Sequence, residues 1–199
     1  MVEKGLLRTV YVTALHKGMV TVDDIASATT EDSGETRRKL EEAVRDGLVD
    51  MRGSTLDLTS KGRGKLNVIM IGGAFEIIHP GHIHTIEEAK RLGDTLVVVV
   101  AADSTVLKNK GRNPVTSQEW RVKLVSSLRD VDAAIPGGLG SIYDTMEKVK
   151  PDIVALGYDQ YHNPKDIEDE ANKRGMQVRV VRLASPIPGV KTSKILDKL

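Results

Sequence analysis

The run Ile71-Gly72-Gly73-Ala74-Phe75-Glu76-Ile77-Ile78-His79-Pro80-Gly81-His82 closes an apolar stretch that begins at Val68. Val68–Gly72 predicts a buried strand, and the two glycines let the backbone turn sharply and approach a ligand closely. Pro80 suits the first turn of a helix, where its missing N–H has no intrahelical acceptor to lose. The N–H groups of that helix start and their partial positive charge favour a phosphate. His79 and His82 stand three apart, so both rings can point to one side of the helical start. Strand, glycine turn, helix N-terminus and two imidazoles together predict a compact phosphate clamp.

Working outward, apolar runs at Thr95–Ala102, Ala133–Pro136, Ile153–Gly157 and Val178–Leu183 predict four more strands. Amphipathic stretches at about 81–92, 117–129, 141–149, 164–174 and 191–198 predict the helices between and after them. Val97–Val100 is apolar at every position, as a central parallel strand covered on both faces requires. The alternation predicts an α/β fold with a doubly wound parallel five-stranded sheet. Such sheets bind ligands at the carboxyl ends of their strands. The loops after Ile71, Ala102, Pro136 and Gly157 are therefore where chemistry is expected.

Before residue 66 the texture differs, which divides the chain into residues 1–65 and 66–199. Gly5–Lys17 carries a helical apolar stripe ended by Gly18, and Thr21 with Asp23 and Asp24 favours a short second helix. Ser33 or Gly34 opens a third, and Met51–Thr59 alternates around Gly53-Ser54 as a hairpin should. Three helices and a hairpin resemble a winged helix-turn-helix domain. Read functionally, Arg37, Arg38 and Lys39 would meet duplex DNA from the third helix. Read structurally, the segment is an accessory or dimerisation domain, since Glu31, Asp32, Glu35, Glu41 and Glu42 surround the same helix.

Composition bounds these readings. The 199 residues hold 29 Lys+Arg against 28 Asp+Glu, a net charge of +1, so the whole chain is no electrostatic nucleic-acid binder. Residues 1–65 carry equal numbers of basic and acidic side chains. One Trp, one Phe and four Tyr make a poor base-stacking surface. The absence of cysteine removes disulfides, thiolate metal sites and cysteine nucleophiles. With no long apolar run and no signal-type core at the start, a soluble cytoplasmic protein without membrane contact is expected.

The Gly-Gly-x-Phe-Glu-x-x-His-x-Gly-His pattern resembles the HxGH signature of the nucleotidylyltransferase superfamily, whose members share a Rossmann-like nucleotidyltransferase fold. That family usually carries Asp where this chain has Glu76. The resemblance implies that Gly72, Gly73, Ala74, Phe75 and Glu76 line the nucleotide and that His79 and His82 act in catalysis. His84 lies only two residues past His82, so the three histidines cannot converge on one ion, and no side-chain metal site is expected. After the second strand, Lys108, Lys110 and Arg112 fall within five residues on a glycine-containing loop. By the resemblance Lys108 is catalytic, Lys110 binds the nucleotide, and Arg121 reaches acceptor or donor phosphates; otherwise Arg121 pairs with Glu119 or Asp130. Gly157 and Asp159 match a Gly-x-Asp that lines base and ribose, with helix capping as the alternative for Asp159. Thr192 and Ser193 match a closing Ser-Thr-x-x-Ile segment at a helix start.

Within the superfamily, Thr-Val-x-Lys-x-Lys-Gly-Arg-x-Pro, Lys-Pro-Asp-Ile and Gly-x-Asp-Gln look most like archaeal FAD synthetase. That branch implies ATP as donor, FMN as acceptor, Mg²⁺ or another divalent cation on the donor phosphates, and a homodimer. CTP with glycerol 3-phosphate is the neighbouring expectation. A nucleotide- or flavin-sensing regulator that binds DNA through residues 1–65 is the reading that keeps the fold and drops the enzyme.

Overall fold

The computed structural model describes residues 4–158 and 160–184, together with residues 192 and 195. The chain divides into two compact units, residues 1–66 and 67–199.

In the first unit the order is α1 (Lys4–Lys17), β1 (Val20–Thr21), α2 (Val22–Thr29), α3 (Ser33–Arg45), β2 (Val49–Arg52), β3 (Thr55–Leu58) and α4 (Ser60–Arg63). Thr21 starts α2 with a capping box: its hydroxyl accepts from Asp24 N, and the Asp24 carboxylate accepts from Thr21 N at 3.0 Å. Asp32, one residue ahead of the expected start, caps α3 by accepting from Gly34 N and Glu35 N. The hairpin β2–β3 forms as expected, pairing Arg52 with Thr55 across the turn. Unforeseen were β1, which joins it as a third antiparallel strand in the order β1-β3-β2, and the single turn α4. Leu7, Val10, Val20, Ile25, Leu40 and Ala43 close the core of this unit.

The second unit runs β4 (Val68–Gly73), α5 (Pro80–Lys90), β5 (Thr95–Val100), α6 (Asp103–Lys110), α7 (Gln118–Ser126), β6 (Ala133–Pro136), α8 (Ile142–Val149), β7 (Ile153–Leu156), α9 (Pro164–Lys173) and β8 (Arg179–Arg182). All five strands are parallel, in the order β6-β5-β4-β7-β8. This is the expected doubly wound α/β sheet. Successive side chains alternate between faces. Ile69, Ile71, Leu96, Val98 and Val100 share one core with Ile86 and Ala89 of α5 and Val125 of α7. The strand order reverses between β4 and β7. There β4 pairs with β5 from Val68 to Gly73 but with β7 only at Ile69 and Met70. The two strands part toward their carboxyl ends, and that parting opens the site.

One expectation is corrected here. The stretch Ala102–Pro114 is not a loop throughout, because Asp103–Lys110 forms α6. Asp103 sits in its first turn, where an acid favours the helix, and Gly111 closes it at φ +71°, a left-handed value that costs glycine little. The expected helix at 191–198 falls almost wholly outside the described residues, of which Thr192 and Ile195 are helical. Among the described residues no helix is long and apolar enough to cross a membrane.

Candidate active site

The turn from β4 into α5 is built around Phe75. Its backbone takes φ +46°, uncommon for a bulky residue, and its ring is 3% exposed. A Cβ on Gly73 would stand 2.9 Å from that ring, so glycine is needed there for close approach. The Phe75 ring lies 5.1 Å from that of His82, which stacks on His79 at 3.9 Å. His79 is the N-cap residue of α5 and Pro80 follows at its first turn. The two imidazoles thus meet on one side of the helix start. His79 Nδ1 is buried with no hydrogen-bond partner among the described residues, and burial pushes its imidazole below the usual histidine range. A neutral ring in that place can offer a proton-bearing nitrogen to a ligand oxygen.

Glu76 does something the sequence did not suggest. Its side chain is fully buried. It accepts from Lys110 Nζ at 2.9 Å, from both terminal nitrogens of Arg112, and from Val115 N at 2.9 Å. The Arg112 guanidinium, with Lys110 and Val115 beside it, holds the carboxyl well below its ordinary value, at about 2. With both oxygens so committed, Glu76 faces the basic segment rather than a nucleotide. Of the other cations expected here, both exposed, Lys110 lines the cleft beside Asn109, while Lys108 stands outside the lining.

Arg121 is also placed differently from a cation that reaches substrate, and it pairs with neither Glu119 nor Asp130. It is fully buried and donates to Thr116 O, Ala74 O, Ala101 O and the Asp103 carboxylate. Gln118 Nε2 donates to Val100 O and Gly137 O, and Gln160 Nε2 to Gly72 O at 2.9 Å. These side chains occupy carbonyls at and just beyond the carboxyl ends of β4, β5 and β6, whose dipoles would otherwise present negative charge to an anion. Arg182 donates to Gly157 O, Gln160 O and His162 O and so holds the segment after β7. Gln160 was in view as part of Gly-x-Asp-Gln but had no role; for Gln118, Asn109 and Arg182 no spacing signal existed.

Gly72, Gly73, Ala74 and Lys110 line one cleft of ≈ 320 Å³ with Met70, Val99, Asn109, Ile142, Leu156 and Tyr161. Its lining is mostly apolar with a few polar groups, the general character of a small-molecule site. Gly157 stands beside Gln160, whose Oε1 accepts from its N–H. Thr192 is buried and helical; Asp159 and Ser193 lie outside the described residues. Among the described residues no three His, Asp or Glu side chains gather as metal ligands.

Comparison with known proteins matches residues 70–198 to the cytidylyltransferase-like family model. The chain is 50% identical over 115 residues to a FAD synthase of Aciduliprofundum boonei, covering 58% of this chain and 76% of that protein. It is 44% identical over 139 residues to a FAD synthase of Methanothrix thermoacetophila, covering 69% of this chain and 96% of the relative. Among solved structures, a protein described as a lipopolysaccharide core biosynthesis protein from Thermoplasma volcanium superposes with a TM-score of 0.59 at 43% identity, covering 61% of this chain and 99% of that one.

Proposed function

The chain belongs to the cytidylyltransferase-like family, and from that membership we propose that it transfers AMP from ATP to FMN, releasing pyrophosphate and forming FAD. The observation that carries the substrate assignment is its 40–50% identity to archaeal FAD synthases. An oxygen of the FMN phosphate attacks the α-phosphorus, the bond to the β-phosphate oxygen breaks, and pyrophosphate leaves. No protein nucleophile is needed, so the chain's task is positioning and charge stabilisation.

His79 and His82 meet the phosphates at the start of α5, with Gly72, Gly73 and Ala74 giving the backbone room. Lys110 supplies positive charge from the last turn of α6 and is a better candidate for this than Lys108, which stands outside the cleft lining. Arg121 acts as a positioning residue through the carbonyls it holds. Gly157, Asp159, Thr192 and Ser193 remain the candidates for base, ribose and outer phosphates. A divalent cation, Mg²⁺ in the first instance, would be held by the donor's own phosphates beside Lys110 and the start of α5, and would supply neutralisation of their charge. Glu76 and Asp103 are already bound to cations, which supports a metal carried by ATP over one caged by side chains. The mostly apolar lining of the cleft supports an aromatic acceptor over glycerol 3-phosphate.

The test is pyrophosphate release with ATP or CTP crossed against FMN or glycerol 3-phosphate. Release is expected only with ATP and FMN, and His82→Ala is expected to lower turnover about 10²–10³-fold, the scale for one lost oxyanion donor. Release with CTP and glycerol 3-phosphate alone would overturn the substrate assignment, and normal turnover by the folded variant would overturn the role of His82.

A specific surface favours a second partner for the first unit, duplex DNA bound by a winged-helix-like module of residues 1–65. Three residues join α2 to α3, and Arg37, Arg38 and Arg45 are exposed on α3 without ion pairs among the described residues. Arg52 at the hairpin tip, although its side chain is 85% exposed, is held by Asp50 at 2.8 Å and adds no free cation. Lys39 is excluded from this role because Glu31 and Glu35 hold it. The family resemblance adds a homodimer, which sedimentation would reveal as a species of twice the chain mass.

A further inference from the structure

Glu76 has a use that its burial does not explain by itself. We propose that Glu76 is a positioning residue that parks Lys110 beside the cleft until the phosphates of the donor take that lysine over. This rests on the nucleotidyl-transfer reading of the site.

The four donors on the carboxylate are unequal. Arg112 gives one N–H to each oxygen, and Val115 N adds a second to Oε1. Both oxygens therefore stay satisfied when Lys110 leaves. Lys110 contributes a single bond to Oε2, keeps its side chain 35% exposed, and lines the cleft. The planar fork of arginine suits a contact that stays, and the compact rotating ammonium of lysine suits one that changes partner. Arg112 is the tether and Lys110 the movable charge.

Two opposed consequences follow from deleting the negative charge. Lys110 and Arg112 lose their counter-anion, so they attract polyphosphate at least as strongly in the ground state. They also lose the fixed starting point that sets Lys110 against the reacting phosphorus. Interactions that count only in the transition state appear in kcat, whereas uniform binding appears in KM. A merely structural role would weaken both together.

The experiment is steady-state kinetics of Glu76→Gln with ATP and FMN, alongside calorimetric ATP binding. We expect kcat to fall about ten- to a hundredfold, the scale of a small misplacement, with KM for ATP unchanged or lower. Glu76→Asp should recover most of kcat, because the charge remains and residues 110–115 can follow it. In a Lys110→Met background, Glu76→Gln should reduce kcat no further, since effects passing through one partner do not multiply. Multiplying effects, or a raised KM with normal kcat, would overturn the proposal. Wild type silent with FMN would sink the acceptor assignment while the calorimetry still decides: weaker ATP binding by Glu76→Gln overturns the parking role. Should Glu76→Gln not fold, Lys110→Met is the deciding variant. It should lose the same factor in kcat while melting within about 2 °C of wild type; a large drop in melting temperature would make Lys110 structural.

Discussion

Glu76 shows how one methylene and one charge act at the residue scale. Its carboxyl sits at about 2 against an ordinary 4.5, first because Arg112 hydrogen-bonds the ionised form. A depressed folded-state value means stability that is fully present above the unfolded value and lost as the proton binds. This residue should therefore contribute on the order of 3 kcal/mol above about pH 4.5, lost as pH falls toward about 2. Denaturant unfolding of wild type and Glu76→Gln across that window should show a gap that closes with acid. A gap independent of pH would contradict the assignment. His79 shares this sign of pH dependence for a different reason: burial disfavours its charged form, so folding is opposed as pH falls below the usual histidine value and the buried ring is asked to take a proton.

Elements meet at the two edges of the sheet, and each edge is finished with its own chemistry. At the amino ends, carboxylates accept from backbone donors: Asp152 from Val68 N, Asp132 from Leu96 N, and Glu168 from Val180 N, each at 2.7 Å. Toward the carboxyl ends, Gln118, Arg121 and Gln160 donate to carbonyls. Backbone donors are thus met by carboxylates at one edge and backbone carbonyls by side-chain donors at the other, while the acids of that second edge, Glu76 and Asp103, are paired with Arg112 and Arg121. Arg121 joins the segments after β4 and β5 to the start of α6. Arg121→Met should cost about 1–3 kcal/mol, because it leaves the Thr116, Ala74 and Ala101 carbonyls without their donor. Thermal unfolding checks this, and Arg121→Lys should not restore it, lacking the fork that spans these acceptors. An unshifted melting temperature would mean that those acceptors find other donors.

On the scale of the whole molecule, two compact units are joined in one chain, and the family match covers residues 70–198 only. The net charge of the first unit is zero, so any DNA affinity must come from local placement of Arg37, Arg38 and Arg45 rather than from a global field. Arg37→Ala/Arg38→Ala should weaken duplex binding at low salt and reduce the slope of log affinity against log salt by about 2, since each phosphate contact contributes nearly one unit. Fluorescence anisotropy with a labelled duplex measures it. An unchanged slope would assign the face to something other than phosphate.

The local patterns could be read directly from the chain. The apolar runs, the glycine turn and the His79–His82 spacing depend on neighbours within a few residues, and so do the capping signals at Thr21 and Pro80. They determined the parallel α/β sheet and the glycine turn that leads from β4 into α5. Even locally one stretch misled: the cations of Lys108–Arg112 looked like loop, although Asp103 and Gly111 bracket a helix. What the linear sequence could not contain was which distant groups meet. Glu76 and Arg112 are 36 residues apart, Gln160 and Gly72 are 88 apart, and no periodicity links them. Only the winding of β4 between β5 and β7 brings those groups within hydrogen-bond reach. Buried charge must find its partner wherever the fold delivers one, so tertiary structure alone decided that Glu76 answers to cations and Arg121 to carbonyls.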